Sequence, residues 1–305
     1  MPLEKPLRLA VVGFGRVGQL CAETIGLSHD LSATALIRRA ATVEGKLPET
    51  LRHIPVFTHI GQASDVDAAL ICVPTHTAEE IACHILQHGI PIVDCTTLHG
   101  EAYQTHKDAI HKRALHHKTA AIVGAGWDPG ALSIFRSLFA LLAPEGHTET
   151  AHRVGVSLHH TAMAQQLAGV KEALCTEQRA TNGGRQRYVY VELEQGVDAD
   201  RVSDAIRADP LFLGDETLVF PVESIAALEQ EGRGVLLERR GAPGRLGHQQ
   251  FLLEARFDES LLTAHMMLAA ARALPQLKPG AHSLLDLRLS ALWGDQQGKA
   301  EREWL

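Results

Sequence analysis

LRLAVVGFGRVG, residues Leu7 to Gly18, decides how the rest of the chain is read. An apolar run, Leu9 to Val12, breaks into Gly13, Gly15 and Gly18 at GxGxxG spacing, and a helix-compatible segment, Val17 to Ile25, follows at once. The order is strand, tight turn, helix. The first glycine lets the chain turn, the second clears space for a pyrophosphate against the backbone, and the third lets helix and strand pack closely. Free N–H groups and the positive end of the helix dipole then face the phosphates. The same spacing occurs in ordinary turns. Here the flanking strand and helix favour a dinucleotide site made by Gly13, Phe14, Gly15, Arg16, Val17 and Gly18.

Sites for NAD place an acid about 20 residues further on, at the end of the second strand, where it holds the ribose 2′-hydroxyl. The second strand here reads SATALIRR, Ser32 to Arg39, so Arg38 and Arg39 stand at that place. Guanidinium groups form bidentate, charge-assisted bonds to phosphate oxygens, which suits the 2′-phosphate of NADP(H) over NAD(H). A solvated basic strand end is the plainer alternative.

Further along, DAALICVP, Asp67 to Pro74, is the continuous apolar run of a parallel strand buried on both faces. It leads into Val73, Pro74, Thr75 and Thr77, a loop with capping groups before a helix expected over Ala78 to Gln87. Pro91 to Asp94 and Ala120 to Gly124 read as further strands, with a helix at Glu101 to His117 between them. This alternation predicts an α/β fold with a Rossmann-like doubly wound parallel sheet. Its ligand crevice lies beyond the carboxyl ends of the strands, where Gly13 to Gly18, Val73 to Thr77, Asp94 to His99 and Gly124 to Gly130 converge.

Past a helix at Ala131 to Leu142 the pattern changes. Arg153 to Leu158, Tyr188 to Leu193, Leu218 to Val222, Val235 to Arg239 and Gln250 to Phe257 read as antiparallel strands, and the period of two is clear in YVYVELE. Helices expected at Ala162 to Leu174, Ala199 to Ala208 and Ser260 to Ala273 cover one face. The expected division is a dinucleotide domain at residues 1–130, an α+β substrate and dimerisation domain at 131–279, and residues 280–305 returning to the first. Tyr188 to Leu193 and Gln250 to Phe257 are read as one broad sheet through which two subunits meet.

The 305 residues suffice for two domains with sizeable cores. A net charge of −7 argues against nucleic acid as a partner. No apolar run reaches the ~18 residues that span a bilayer, and the first residues lack a signal-peptide core, so a cytoplasmic protein without a membrane partner is expected. Five scattered cysteines give neither a disulfide framework nor a thiolate site. The eighteen histidines show no HExxH or similar spacing, so no metal is expected; those from His106 to His117 are assigned to a polar helix surface.

The loop GAGWDPG, Gly124 to Gly130, holds Trp127 and Asp128 between glycines and a proline at a strand end. An apolar wall beside a carboxylate suits a small cationic substrate. Asp128 followed by Pro129 is equally a helix start, with the acid as cap.

On VGFGRVG, the basic RRAAT after strand two, the GWDPG loop, Arg185–Gln186 before a strand, PLFLGDE at Pro210 to Glu216 and GAHSLLDL at Gly280 to Leu287, the chain resembles the meso-diaminopimelate dehydrogenases nearly end to end. The resemblance implies NADP(H)-linked reductive amination of a 2-keto acid at a D-configured centre, and its reverse, by a homodimer using ammonia. It implies that Trp127 and Asp128 contact the reacting centre and that Thr75 lines the nicotinamide. Arg185 is implied to grip a carboxylate, with Thr97, His152, Thr176 and Asp258 as the other substrate positions. The chain departs from the family pattern where Thr97 replaces an aspartate, Gly234 a histidine, Asp258 an asparagine and His152 a tryptophan. The nucleotide half is kept and the substrate half rewritten, which points to a substrate with fewer charges at its far end than meso-diaminopimelate. Two alternatives stay open: an NADP(H)-binding protein without turnover, and an imine reductase that takes no free ammonia.

Overall fold

The computed structural model describes residues 5–42, 45–153, 155–156, 158–179, 185–214, 216–226, 233–242, 249–294 and 302–303. The chain forms two compact units, 1–141 with 259–305, and 142–258.

In the first unit, β1 (Leu7–Val12), α1 (Arg16–Ile25), β2 (Leu31–Ile37), β3 (Val56–Phe57), β4 (Ala68–Ile71), α2 (Thr75–Leu86), β5 (Ile92–Asp94), α3 (Gly100–His116), β6 (Ala120–Ile122) and α4 (Ala131–Leu142) follow in turn. The sheet runs β3-β2-β1-β4-β5-β6 and gains one more strand, β14 (Gly280–His282), at its β6 edge. Every pairing in it is parallel. This is the Rossmann-like doubly wound order read from the sequence.

Alternation along β1 explains why its sequence is apolar from Leu9 to Val12. Leu9 and Val11 pack with Cys21 and Ile25 of α1 on one face, whereas Ala10 and Val12 pack with Ile85 and Leu86 of α2 and Ile110 of α3 on the other. A strand covered on both faces has no side to leave polar. Helix α2 starts at Thr75, earlier than expected, with Pro74 as its N-cap residue. Proline fixes φ and lacks an N–H, so it suits the start of a helix.

The second unit holds β7 (Gly146–Arg153), β8 (Gly155–Val156), α5 (Leu158–Gln165), β9 (Val170–Arg179), β10 (Arg185–Leu193), α6 (Ala199–Ala208), β11 (Glu216–Val222), β12 (Arg233–Gly241) and β13 (Gln250–Phe257). Helix α7 (Glu259–Ala273) then returns to the first unit.

Five expectations change here. Helix α7 does not cover the second unit: its Met267, Leu268, Ala270 and Ala271 are buried beside Cys21 and Ile25, and Arg272 forks onto Asp30 at 2.6 and 2.9 Å. Together with α4 it moves the boundaries to 141/142 and 258/259 from the expected 130/131 and 279/280. Leu218 to Val222 pairs parallel, not antiparallel, with β10, because α6 between them is a crossover long enough to bring the chain back in the same direction.

The helix expected at Ala162 to Leu174 is a shorter α5 followed by β9. Gly169, at φ +89 with Val197 2.7 Å from where a Cβ would stand, marks the break. Last, Tyr188 to Leu193 and Gln250 to Phe257 belong to separate sheets, β11-β10-β9-β8 and β13-β12-β7. The first of these is covered by Ala164 of α5 and by Val202 and Ile206 of α6. Tyr188, Tyr190 and Phe220 stack together on it, the rings 5.8 and 5.6 Å apart. Among the described residues no helix is long and apolar enough to cross a membrane.

Candidate active site at the carboxyl ends of the parallel strands

The glycine turn is dictated by close approach. Gly13 has φ +90, and a Cβ there would stand 2.4 Å from the Cys72 carbonyl oxygen at the end of β4. A Cβ on Gly18 would stand 2.1 Å from the Gly13 carbonyl oxygen, so the third glycine is what lets α1 close onto the turn. Gly15 differs: a Cβ there meets nothing within 4 Å. Gly15 is also the N-cap of α1, which has no side-chain cap and no acid in its first turn. Neither the N-cap nor the first turn thus brings an anion to this helix end, and the open space fits a pyrophosphate.

Two substitutions separate these roles. Gly18→Ala is expected to cost about 1–3 kcal/mol of stability by overpacking. Gly15→Ala, whose φ of −80° any residue adopts, is expected to cost about 1 kcal/mol or less and yet weaken dinucleotide binding at least about tenfold. Thermal melts and a fluorescence titration with the reduced coenzyme check both.

Around the turn, Phe14 packs partly against the core, and the Arg38 guanidinium lies 5.2 Å from its ring centroid. Arg38 also donates to the Gly45 carbonyl at 2.9 Å, while Arg39 is exposed. Arg16 is exposed, and Val17 is half-buried with Val73, Thr75 and Thr77. The exposed Pro74 accepts from the Thr77 hydroxyl at 2.9 Å. The hydroxyls of Thr75 and Thr97 meet at 3.3 Å, joining the loops after β4 and β5.

Behind these loops sits a residue not singled out from the sequence. Asp94, the last residue of β5, is fully buried. Its Oδ1 accepts from the Thr96 N–H (3.1 Å), the Thr96 hydroxyl (2.9 Å) and the Gly124 N–H (2.8 Å). Its Oδ2 lies 2.9 Å from His106 Nε2. One carboxylate therefore ties β5, the β6 loop and α3 together. His106 is 3% exposed, which corrects its assignment to a polar surface. Burial pulls its pKa down, but its hydrogen bond to Asp94 and the charges of Asp94 and Glu79 outweigh that and raise it. The spacing of Tyr103, His106, Ile110 and Ala114 was the available signal, since it marks one inward row of a helix.

The loop after β6 is held by backbone contacts. Gly124 has φ +66, and a Cβ on Gly130 would lie 2.0 Å from the Gly126 carbonyl oxygen. Trp127 is 6% exposed, so its indole is packed in rather than standing as an open wall. Asp128 does not serve as a helix cap, because α4 begins only at Ala131. Instead Arg136 of α4 forks onto both its oxygens, at 2.7 and 3.1 Å. His99 Nδ1 lies 4.0 Å from Asp128 Oδ1. Nothing local in the sequence announces Arg136, since the pairing depends on how α4 leaves the loop. A cavity of about 230 Å³ adjoins, lined by His99, Tyr103, Gly124, Pro129, Ser133 and Ser283 among others. Burial, with the charges of Asp94 and Asp286, pushes the Tyr103 hydroxyl up to about 12, so it stays a neutral donor to the Val123 carbonyl.

The remaining positions expected to meet substrate lie in the second unit. Thr176 of β9 is 2% exposed, and its hydroxyl has no partner among the described residues. It sits opposite Tyr188 in the sheet where Arg185 sits opposite Arg179. His152 pairs with Val235 in the other sheet, and Asp258 is exposed just past the end of β13. The side chains of Arg185 and His152 lie outside the described residues, as does Gly232 before Arg233.

Residues 7–94 match the family model described as an oxidoreductase family with an NAD-binding Rossmann fold. The whole chain is similar to a meso-diaminopimelate D-dehydrogenase of Bacteroides fragilis, 34% identical over 302 residues that make up 99% of this chain and 98% of that one. Among solved structures, a C. glutamicum DAP dehydrogenase in complex with DAP superposes with a TM-score of 0.67 at 22% identity, covering 99% of this chain and 100% of the other. An engineered D-amino acid dehydrogenase bound to NADP+ gives 0.64 at 21%, with the same coverage. These two likenesses establish the fold.

Proposed function

The chain belongs to the meso-diaminopimelate dehydrogenase family of oxidoreductases acting on CH–NH2 groups, and we propose that it interconverts a D-amino acid and its 2-keto acid with NADP(H) and ammonia. In deamination the amino acid, NADP+ and water give the keto acid, ammonium, NADPH and a proton. The observation that carries this reading is an uncapped, acid-free helix start at Gly15 beside a basic strand end, in the same unit as a carboxylate loop. Asp128, retained beside Trp127 and gripped by Arg136, favours turnover over a silent binding protein.

Gly13 to Gly18 would hold the pyrophosphate, and Arg38 and Arg39 the 2′-phosphate, with Val73 to Thr77 along the nicotinamide. When bound, the coenzyme supplies or accepts the hydride at the amine carbon. Asp128 holds the ammonium nitrogen, and Arg136 keeps the carboxylate in one orientation. Arg185 takes the substrate carboxylate, with Thr176, His152, Asp258 and Thr97 bounding the rest. Thr97 in place of an acid removes one anionic contact to an ammonium, which favours a substrate with a single amino group. The enzyme works as a homodimer in the cytoplasm.

The test is NADPH oxidation with ammonium and a panel of 2-keto acids in purified protein. Expected is ammonium-dependent turnover with a monoamino product of D configuration. Turnover independent of ammonium indicates an imine reductase, and tight NADPH binding without any turnover overturns the proposal. Arg39→Ala is expected to weaken NADPH by on the order of 10- to 100-fold while leaving NADH within about twofold. Equal losses for both coenzymes would remove the 2′-phosphate from the assignment.

A further inference from the structure

The sequence shows no metal signature, yet folding gathers three of its eighteen histidines. His59 opens the short 3-10 helix Ile60–Gln62, His84 stands in the last turn of α2, and His88 follows that helix. One ring nitrogen from each lies within 4.8 Å of the others. The His59 and His84 rings meet edge to face at 4.5 Å, and those of His84 and His88 are 5.2 Å apart.

The backbone around them is built to hold the three rings. Gln62 Oε1 accepts from the Thr58 N–H, the Thr58 hydroxyl and the His59 N–H, each at 3.1 Å, which fastens the turn carrying His59. His84 lies in the last turn of α2 and His88 two residues past its end, with their rings 5.2 Å apart. Gly61 leaves room for the His88 ring, whose Cε1 lies 3.1 Å from where a Cβ would be. The C-terminal end of α2 adds the negative pole of the helix dipole, which favours a cation.

We propose that His59, His84 and His88 form a binding site for a divalent transition metal of the zinc, cobalt or nickel type. Three neutral imidazoles select these ions over magnesium and calcium, which take oxygen ligands. Zinc–nitrogen bonds of about 2.0–2.1 Å place tetrahedral ligand atoms about 3.3 Å apart, so ring movements of about an ångström complete the site and leave one position for water. The ion then clamps the segment after β3 to the end of α2. None of the three histidines belongs to the coenzyme or substrate positions, so this inference stands apart from the dehydrogenase reading.

Untagged protein stripped with EDTA and desalted is titrated with Zn2+ by calorimetry and with Co2+ by visible absorption. Expected are one bound ion per chain, cobalt d–d bands of imidazole ligation, and a melting temperature that rises with Zn2+. His59→Ala, His84→Ala and His88→Ala are each expected to weaken Zn2+ at least about tenfold, with NADPH binding unchanged. His59 and His88 are exposed, so their variants carry the test should His84→Ala fail to fold. Absence of stoichiometric binding, an unchanged affinity in any folded single variant, or full binding by the triple variant overturns the site.

Discussion

Replacing Asp128 by alanine is expected to lower kcat for reductive amination by on the order of 10²–10³-fold, the usual cost of losing a preorganised group aimed at developing charge. The proposed coenzyme site is built from other loops, so the NADPH dissociation constant should stay within about twofold of its original value. The effect is large because Asp128 is not a loose surface acid: its side chain is 12% exposed, and Arg136 fixes both its oxygens. A carboxylate held in that way would meet the forming ammonium of the proposed reaction without reorganising. Asp128→Asn keeps the shape and removes the charge, so it should recover folding but little of the rate. Arg136→Ala tests positioning separately: the acid remains, its orientation is lost, and kcat should fall by about tenfold while Asp128→Ala falls much further. Stopped-flow measurement of NADPH oxidation at saturating ammonium checks all three. Wild-type turnover in Asp128→Ala would remove this acid from the reaction.

The second large effect is on stability. Asp94→Ala leaves His106 without its buried counter-charge and strands the Thr96 and Gly124 N–H groups, so it is expected to cost about 3–5 kcal/mol. Urea unfolding followed by circular dichroism measures it. The pH dependence has a definite sign. The pKa of His106 is raised in the folded state, so its charged pairing with Asp94 contributes fully below the ordinary histidine value of about 6.5 and is lost as pH rises through the raised value. The stability difference between wild type and His106→Asn should therefore be largest in mild acid and shrink on the alkaline side. A difference that grows with pH would mean that His106 is held neutral.

The Rossmann-like half of this fold was legible because its signals are local. Leu9 to Val12 is apolar on both strand faces, Gly13 and Gly18 stand where any Cβ would strike backbone, and the helix begins at once. Thr75 and Thr97 were likewise placed together by the rule that loops at strand ends converge. Less of the second unit was legible. The alternation in β10 marks a strand but carries no information on the direction or identity of its neighbours, so the parallel partner β11 and the separate sheet of β13 were out of reach. His106 shows the same limit at one residue: a polar helix with one inward row reads as a surface helix unless the row is counted.

What the amino-acid order determined by itself is the strand, turn and helix at Leu7 to Ile25, the parallel sheet that follows, and the family. Each rests on periodicity, on steric demands met within a few residues, or on motifs matched along the chain. What only the tertiary structure decided is which distant groups share a charge: Asp94 with His106, Asp128 with Arg136, Asp30 with Arg272, and the three imidazoles of His59, His84 and His88. Electrostatic and metal-ligand interactions fall off over a few ångströms of space, whatever the separation along the chain. They exist only once the apolar layers have set the elements in place.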